Sequence, residues 1–273
     1  MSADSGLNGP ITMRRFDVYG LSNRGKVRAA NEDHILLYRQ ILNNGSGGLA
    51  FKEDDPRLRA PGMLFAAADG IGGLAAGADA SRIGLVAFEA HYRETDGGET
   101  GLRAAGIHAN RAILDEAARF PDRRGMGCTL AGVCLMDGGY LVFHAGDSRV
   151  YRIRNGFAKQ LTVDDTVAQR AVEAGLFSPD EAQRMDARHT VTNSAGSPSF
   201  VLHVAPGPEW RDGDALLVCT DGLHDLIGND AIEEAAAEGS AETRARRLME
   251  TALQAGGHDN ISVIIIGTAG ADI

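Results

Sequence analysis

Apolar residues along this chain fall into two rhythms, and their alternation predicts the elements. MLFAAAD (63–69) and the closing NISVIIIG (260–267) are continuous apolar blocks of strand length, as expected for buried strands. Residues 16–20 predict a first strand and DHILLYRQIL (33–42) another. NNGSGGLAFKEDDPRLRAPG (43–62) is rich in turn formers and charge, which predicts a long surface loop with KEDD (52–55) solvated. From 75 to about 93 the apolar positions Ile83, Val86, Ala87 and Ala90 recur at helical spacing, and a similar pattern runs from 99 to 119. Two consecutive helices follow from this.

CTLAGVCLM, YLVFHA, RVYRIR and FAKQL (128–161) are four strand-like runs separated by DGG, GDS and NG. Such short links are hairpin chemistry and predict an antiparallel meander. Residues 162–184 are polar and helix-forming, with Ser178 placed to cap a helix that opens on Pro179. PSFVLHVA (198–205) and DALLVCTD (214–221) return to strand character, and 229–255 is helical in two pieces. Trp210 reads as packing beside a turn before a strand. No linker or repeat divides the pattern, so one α+β domain of layered strands and helices is expected over 16–267, with a frayed start (1–15) and a short tail (268–273).

Composition changes this picture little. A chain of 273 residues with 44% hydrophobic and 23% charged residues has material for a large core. A formal net charge of −10 argues against a nucleic-acid surface, which needs basic patches. MSADSGLNGP has neither the basic nor the apolar region of a leader, and ISVIII is too short to span a bilayer. A cytoplasmic protein without a membrane or nucleic-acid partner is expected. Cys128, Cys134 and Cys219 lie inside apolar runs, which suggests reduced, buried thiols, with Cys219 redox-sensitive if exposed.

The acids matter more. Asp69 ends MLFAAAD beside Gly70, Asp147 follows YLVFHAG, Asp221 ends DALLVCTD, Asp259 precedes NISVIII, and Glu32 with Asp33 opens DHILLY. One aspartate at a strand edge is an ordinary turn former. Acids at five strand edges, mostly beside Gly, Ser or Asn, suggest a shared role, because small neighbours allow close approach and a glycine carbonyl is an available ligand. Carboxylates that converge in one cleft need cations to stay ionised. Oxygen-only donors favour Mg2+ or Mn2+ and disfavour zinc. Two such ions would lower the pKa of a bridging water and suit in-line attack on phosphorus, with an arginine holding the phosphate; Arg28 is the nearest in sequence.

SNRGKVRAANED (22–33), ADGIGG (68–73), GCTL (127–130), AGDSRVY (145–151), LTVDD (161–165), TDGLHD (220–225) and HDNISVI (258–264) resemble, in order, the motifs of the PP2C-type (PPM) metal-dependent Ser/Thr protein phosphatases of bacterial type. The resemblance runs from about 16 to 266. It implies a four-layer αββα sandwich, two central, mostly antiparallel β-sheets flanked by helices, with a dinuclear centre at one end. It further implies that Asp69 bridges two Mn2+ or Mg2+ ions, that the Gly70 carbonyl binds the second, and that Asp221 and Asp259 complete the first. Glu32 and Asp33 would hold metal-bound waters, Arg28 would clamp the substrate phosphate, and Asp147 with Asp221 would bind a third, weaker ion. The implied activity is hydrolysis of phosphoserine and phosphothreonine by a metal-bridging hydroxide. The partners would be phosphorylated proteins, namely a bacterial Ser/Thr kinase and its substrates, and the protein a monomer.

The chain departs from that bacterial-type pattern in two places, and a third position differs only from eukaryotic members. Ile71, usual for the bacterial type, stands where many eukaryotic members carry a histidine proposed as general acid, which leaves His34, beside Asp33, or a metal-bound water as the candidate proton donor. Asp165 replaces a histidine in LTVDD, and Asn193 replaces an arginine in TNSAG. Both fall around 164–197, which resembles a mobile flap, so altered substrate docking with catalysis intact is expected. His224 and His258 sit beside proposed ligands, as outer partners or as solvated residues. A catalytically dead scaffold would lack ligands that are present here, and a nucleotide-binding loop would need a lysine or G-x-G-x-x-G spacing absent from DGIGG.

Overall fold

A computed structural model describes residues 13–182 and 184–269, so residues 1–12 of the expected frayed start and 270–273 of the tail lie outside the described residues. In chain order the elements begin with β1 (Arg15–Asn23), β2 (His34–Leu37), β3 (Gln40–Leu42), β4 (Gly45–Lys52), β5 (Met63–Ala68) and β6 (Gly70–Ile71). Two long helices follow, α1 (Leu74–Tyr92) and α2 (Gly98–Arg119), then β7 (Gly127–Cys128), β8 (Leu130–Met136), β9 (Gly139–Ala145), β10 (Arg149–Arg154) and β11 (Phe157–Gln160). The remainder is α3 (Val167–Glu173), α4 (Pro179–Ala182), β12 (His203–Pro206), β13 (Ala215–Cys219), α5 (Asp221–His224), α6 (Asn229–Ala236), α7 (Ala241–Gln254) and β14 (Ile261–Ala269).

Two six-stranded antiparallel sheets stack face to face. The first has the order β11-β10-β13-β14-β1-β4 and the second β12-β9-β8-β5-β2-β3, while β6 and β7 pair separately. Three apolar layers fill the sandwich. Val18, Phe65, Val133, Val218 and Ile264 meet between the sheets. Leu64, Phe88, Leu102 and Phe143 lie between the second sheet and α1–α2. Leu217, Ile232, Leu248 and Ile265 lie between the first sheet and α5–α7. This is the αββα arrangement that the resemblance implies.

Burial on both faces explains the unbroken apolar runs. In β5 the side chains of Leu64, Ala66 and Ala68 face the helices while Met63, Phe65 and Ala67 face the other sheet. β14 divides likewise, with Ile261, Val263 and Ile265 on the helical side and Ile264 and Ile266 between sheets. The predicted cap of α4 also forms: the Ser178 hydroxyl and N–H both meet Glu181 Oε2, at 2.7 and 2.8 Å. Trp210 packs edge-on against Phe16 and Tyr140 with ring centroids 5.3 and 5.7 Å away.

Three expectations are corrected. The loop expected at 43–62 contains β4, which pairs with β1 from Ser22↔Gly45 to Arg15↔Lys52. Its glycines hide the strand from sequence reading, yet they fit where they sit: a Cβ on Gly48 would meet Tyr19 Cδ2 at 2.8 Å, so the Tyr19 ring covers the gap. The single strand read at 33–42 is the β2–β3 hairpin, turned at Tyr38 with φ 60°. The meander does not form either. β8 and β9 lie in the second sheet, β10 and β11 in the first, and the chain crosses between sheets through Gly146, Asp147 and Ser148.

Candidate metal centre

That crossing delivers Asp147 to one end of the sandwich, where the other acids of the sequence pattern also arrive. Asp69 leaves β5, Asp221 leaves β13, Asp259 leads into β14, and Glu32 with Asp33 ends the loop from β1 to β2. Mutual charge effects link Asp69 to Asp33, Asp221 and Asp147, and link Asp33 to Asp221 and Asp259. The Asp69 and Asp221 carboxyls lie within hydrogen-bonding reach of one another.

Neighbouring hydroxyls and amides position these acids. Asp33 Oδ2 accepts from Thr220 Oγ1 and Ser262 Oγ, each at 2.8 Å. Thr129 holds Asp69 from both sides, its Oγ1 accepting the Asp69 N–H at 3.0 Å and its N–H donating to the Asp69 carbonyl at 2.9 Å. Asn260 fastens the β1–β2 loop: Nδ2 donates to the Arg24 and Ala30 carbonyls at 2.9 Å, and Oδ1 accepts the Glu32 N–H at 2.8 Å. Close packing explains two glycines. A Cβ on Gly70 would lie 2.2 Å from the Gly77 carbonyl oxygen, and one on Gly77, in the first turn of α1, 1.9 Å from Glu32 Oε2. The carboxylate of Glu32 therefore rests near the positive end of that helix.

The electrostatics are those of a site built for added positive charge. Burial first, then repulsion from Asp221 and Asp259, pushes Asp33 up to about 7, against the pull of its two hydroxyl donors. Burial and neighbouring carboxylates hold Asp69 and Asp147 well above the usual range and raise Asp221 as well. Asp69 keeps some solvent access at the mouth although its carboxyl is enclosed by other acids. Asp33 Oδ1 and Asp221 Oδ1 are buried without a hydrogen-bond partner. Orphaned acceptors among crowded carboxylates, beside the Gly70 turn, are the donor chemistry of hard divalent cations such as Mg2+ and Mn2+.

Arg28 stands at the rim, half exposed, its Nη2 donating to Asp259 Oδ2 at 2.6 Å. That bond, followed by attraction from Asp259, Asp69 and Glu32, raises its pKa. Its remaining N–H donors are available to an anion above the acids.

His34 is not brought to the cluster. Strand alternation sends Asp33 toward the first sheet and His34 toward α1, where Nδ1 lies 2.8 Å from Ser81 Oγ. Burial lowers its pKa to about 4, so the imidazole is neutral and structural rather than a proton donor. Cys219 is fully buried and pushed up to about 12, which removes the condition for redox sensitivity. His258 is exposed, whereas His224 Nε2 lies 3.1 Å from the Asp147 carbonyl oxygen.

Beside the acids a cleft of about 460 Å³ opens, lined by Asp147, Arg149, Asp164, Arg188, His189 and His224. Its far wall is the 164–197 segment, tied back by Arg149–Asp164 at 2.6 Å and His189–Asp225 at 2.9 Å. The two departures noted in that segment touch each other: Asn193 Nδ2 donates to Asp165 Oδ2 at 2.8 Å. Sequence reading missed Thr129, Thr220, Ser262, Gly77 and the tethering role of Asn260. Only Thr220 and Asn260 lie beside named acids; strand pairing reveals Thr129 and Ser262, and the packing of α1 against Glu32 reveals Gly77.

The family model for protein phosphatase 2C matches residues 56–256. The serine/threonine protein phosphatase PstP of Mycobacterium tuberculosis is 35% identical over 251 residues, which cover 89% of this chain and 43% of that protein. The chain thus spans less than half the length of that relative. The crystal structure of the Mycobacterium tuberculosis phosphatase PstP/Ppp superposes with a TM-score of 0.77 at 33% identity, covering 94% of this chain and 100% of that one. A structure of the PstP catalytic domain in complex with two manganese ions gives a TM-score of 0.72 at 32% identity, covering 93% and 100%.

Proposed function

This chain belongs to the protein phosphatase 2C family, and on that premise we propose that it is a metal-dependent phosphoprotein phosphatase acting on phosphoserine and phosphothreonine. The observation that carries this reading is the set of buried carboxylates with unpartnered oxygens, Asp33 Oδ1 and Asp221 Oδ1, gathered beside the Asp69–Gly70 turn. Asp69, Asp221, Asp259 and the Gly70 carbonyl would hold two Mn2+ or Mg2+ ions, with Glu32 and Asp33 anchoring their water shells. Asp147 with Asp221 would serve a third. When bound, such ions supply an activated water near neutral pH and neutralise the charge of a phosphate.

The protein's own part is orientation and charge balance. Arg28 holds Asp259 with one arm of its fork and would offer its remaining N–H donors to the incoming phosphate, fixing the anion above the acids. The hydroxyls of Thr220 and Ser262 hold Asp33 Oδ2 and leave Oδ1 turned to the centre. The cleft against the 164–197 flap would receive the peptide around the phosphorylated residue. Residues 16–267 form the catalytic unit in this reading. Its substrates are phosphorylated proteins, among them a Ser/Thr kinase and that kinase's targets, met by a monomer in the cytoplasm. Among the described residues no helix is long and apolar enough to cross a membrane.

The test is hydrolysis of p-nitrophenyl phosphate and of a phosphothreonine peptide in EDTA, Mg2+ or Mn2+. Turnover should require the cation and be absent in EDTA. No metal-dependent turnover on either substrate would overturn the proposal.

A further inference from the structure

We propose that His144, Asp165 and His203 form a site for one zinc-class divalent ion, separate from the acidic centre, that pins the base of the 164–197 segment to the edge of the second sheet. One ligand atom from each residue lies within 4.8 Å of the others. His144 on β9 and His203 on β12 are cross-strand partners, their rings stacked with centroids 4.8 Å apart. His203 Nε2 stands 3.2 Å from Asp165 Oδ1. Tetrahedral ligands placed roughly 2.0 Å from a zinc ion lie roughly 3.3 Å from each other, so that pair already has the required spacing.

The outer partners are those a metal site needs. His144 Nε2 lies 2.8 Å from the Val163 carbonyl oxygen; a ring N–H donated there fixes the tautomer and leaves the other nitrogen as a ligand. Asp165 Oδ2 is occupied by the Gly146 N–H at 3.0 Å and by Asn193 Nδ2 at 2.8 Å, so Oδ1, which among the described residues faces only His203 Nε2, is the oxygen left for an ion. Burial, then the adjacent His203, keeps His144 below the ordinary imidazole range and therefore unprotonated at neutral pH. The His203 side chain is 47% exposed, which leaves an entry path for the ion. Two imidazoles with one carboxylate suit zinc, in contrast to the oxygen-only donors around Asp69.

The site has leverage on the segment it closes. Asp165 also accepts the Thr192 N–H at 2.7 Å on its carbonyl oxygen, and its own N–H donates to the Gly146 carbonyl at 3.0 Å. An ion on Oδ1 would therefore clamp both ends of 164–197 to β9 and β12, one residue from Asp147 through Gly146. Asp165, which departs from the family motif, supplies the ligand.

Equilibrium dialysis against Zn2+ with Mg2+ in large excess, read by elemental analysis, tests this on the full chain. Zinc entering the acidic centre would appear equally in wild type and variants and cancel in the difference. Wild type should carry one zinc per chain more than the His144→Ala/His203→Ala variant, and Asp165→Asn should weaken that binding by about 10-fold or more. With Co2+, the absorption bands of a tetrahedral nitrogen-containing site should appear in wild type and vanish in the variant. Equal zinc content in wild type and variant would overturn the proposal, as would identical cobalt spectra. Should the double variant fail to fold, the exposed His203→Ala change decides alone by the same two readouts. Neither readout depends on turnover, so the result stands apart from the phosphatase assay.

Discussion

At Asp69 the backbone is held as firmly as the carboxylate is exposed to charge. Thr129 takes both the N–H and the carbonyl of this residue, and its hydroxyl meets Ser148 Oγ at 2.7 Å, so the turn that presents Gly70 is fixed from below. Exchanging Asp69 for Asn keeps the shape and removes the charge. We expect Mn2+-dependent turnover to fall by on the order of 100-fold or more while the chain still folds, measured by steady-state kinetics and circular dichroism. Arg28 tests the opposite sign. Lysine there keeps the charge but loses the bidentate fork, and KM for a phosphopeptide should rise roughly 10-fold, more than kcat falls. The clustered acids were legible in the sequence because they stand at the ends of apolar strands. Thr129, Thr220 and Ser262 were not, since short hydroxylated residues are ordinary in strands and only cross-strand register shows which acid they meet. The direction of His34 was equally hidden until β2 was known to begin at that residue.

Among the elements, the β1–β2 loop has little packing of its own. It keeps its shape through Asn260, which satisfies the Arg24 and Ala30 carbonyls and the Glu32 N–H from the foot of β14. Replacing Asn260 with Ala strands those backbone groups and frees the loop that carries Arg28, Glu32 and Asp33. The apparent Mn2+ affinity, titrated by activity, should drop about 10- to 100-fold, with a stability loss of about 1–3 kcal/mol in urea unfolding. An unchanged metal titration would deny the loop its part in the centre. Both long helices could be read from helical spacing repeated over many residues, and β5 and β14 from unbroken apolar runs. β4 could not, because Gly45, Gly47 and Gly48 carry no β signal and gain their place only from β1 alongside. The links DGG, GDS and NG look alike in sequence, yet DGG and NG close hairpins while the GDS link changes sheets. Nothing local distinguishes them, since the choice depends on β9 and β10 finding partners in β12 and β13.

For the whole molecule, the crowded acids set how stability depends on pH. Burial and the neighbouring acids push Asp33 up to about 7 in the fold, against about 3.9 for a free aspartate. Between those values the folded chain keeps a proton that the unfolded chain has released. Stability linked to this group is thus fully present below about pH 4 and is lost as pH rises through about 7. Asp69, Asp147 and Asp221 are shifted in the same direction and add to the trend, as does a net charge of −10. In EDTA the melting temperature should therefore fall from pH 5 to 7.5, by about 3 °C per pH unit if one excess proton dominates. Cations reverse the sign, because they bind the deprotonated carboxylates and compete with protons. Mn2+ at about 100 times its dissociation constant should add about 2.7 kcal/mol at pH 7.5 and far less at pH 5, so the two melting curves diverge as pH rises. Asp33→Asn should flatten the EDTA slope, since amide replaces the titrating group while Thr220 and Ser262 still donate to its oxygen. An EDTA melting temperature that rose over this range would show that the acids are already compensated inside the protein, and the charge deficit assigned to cations would have to be withdrawn.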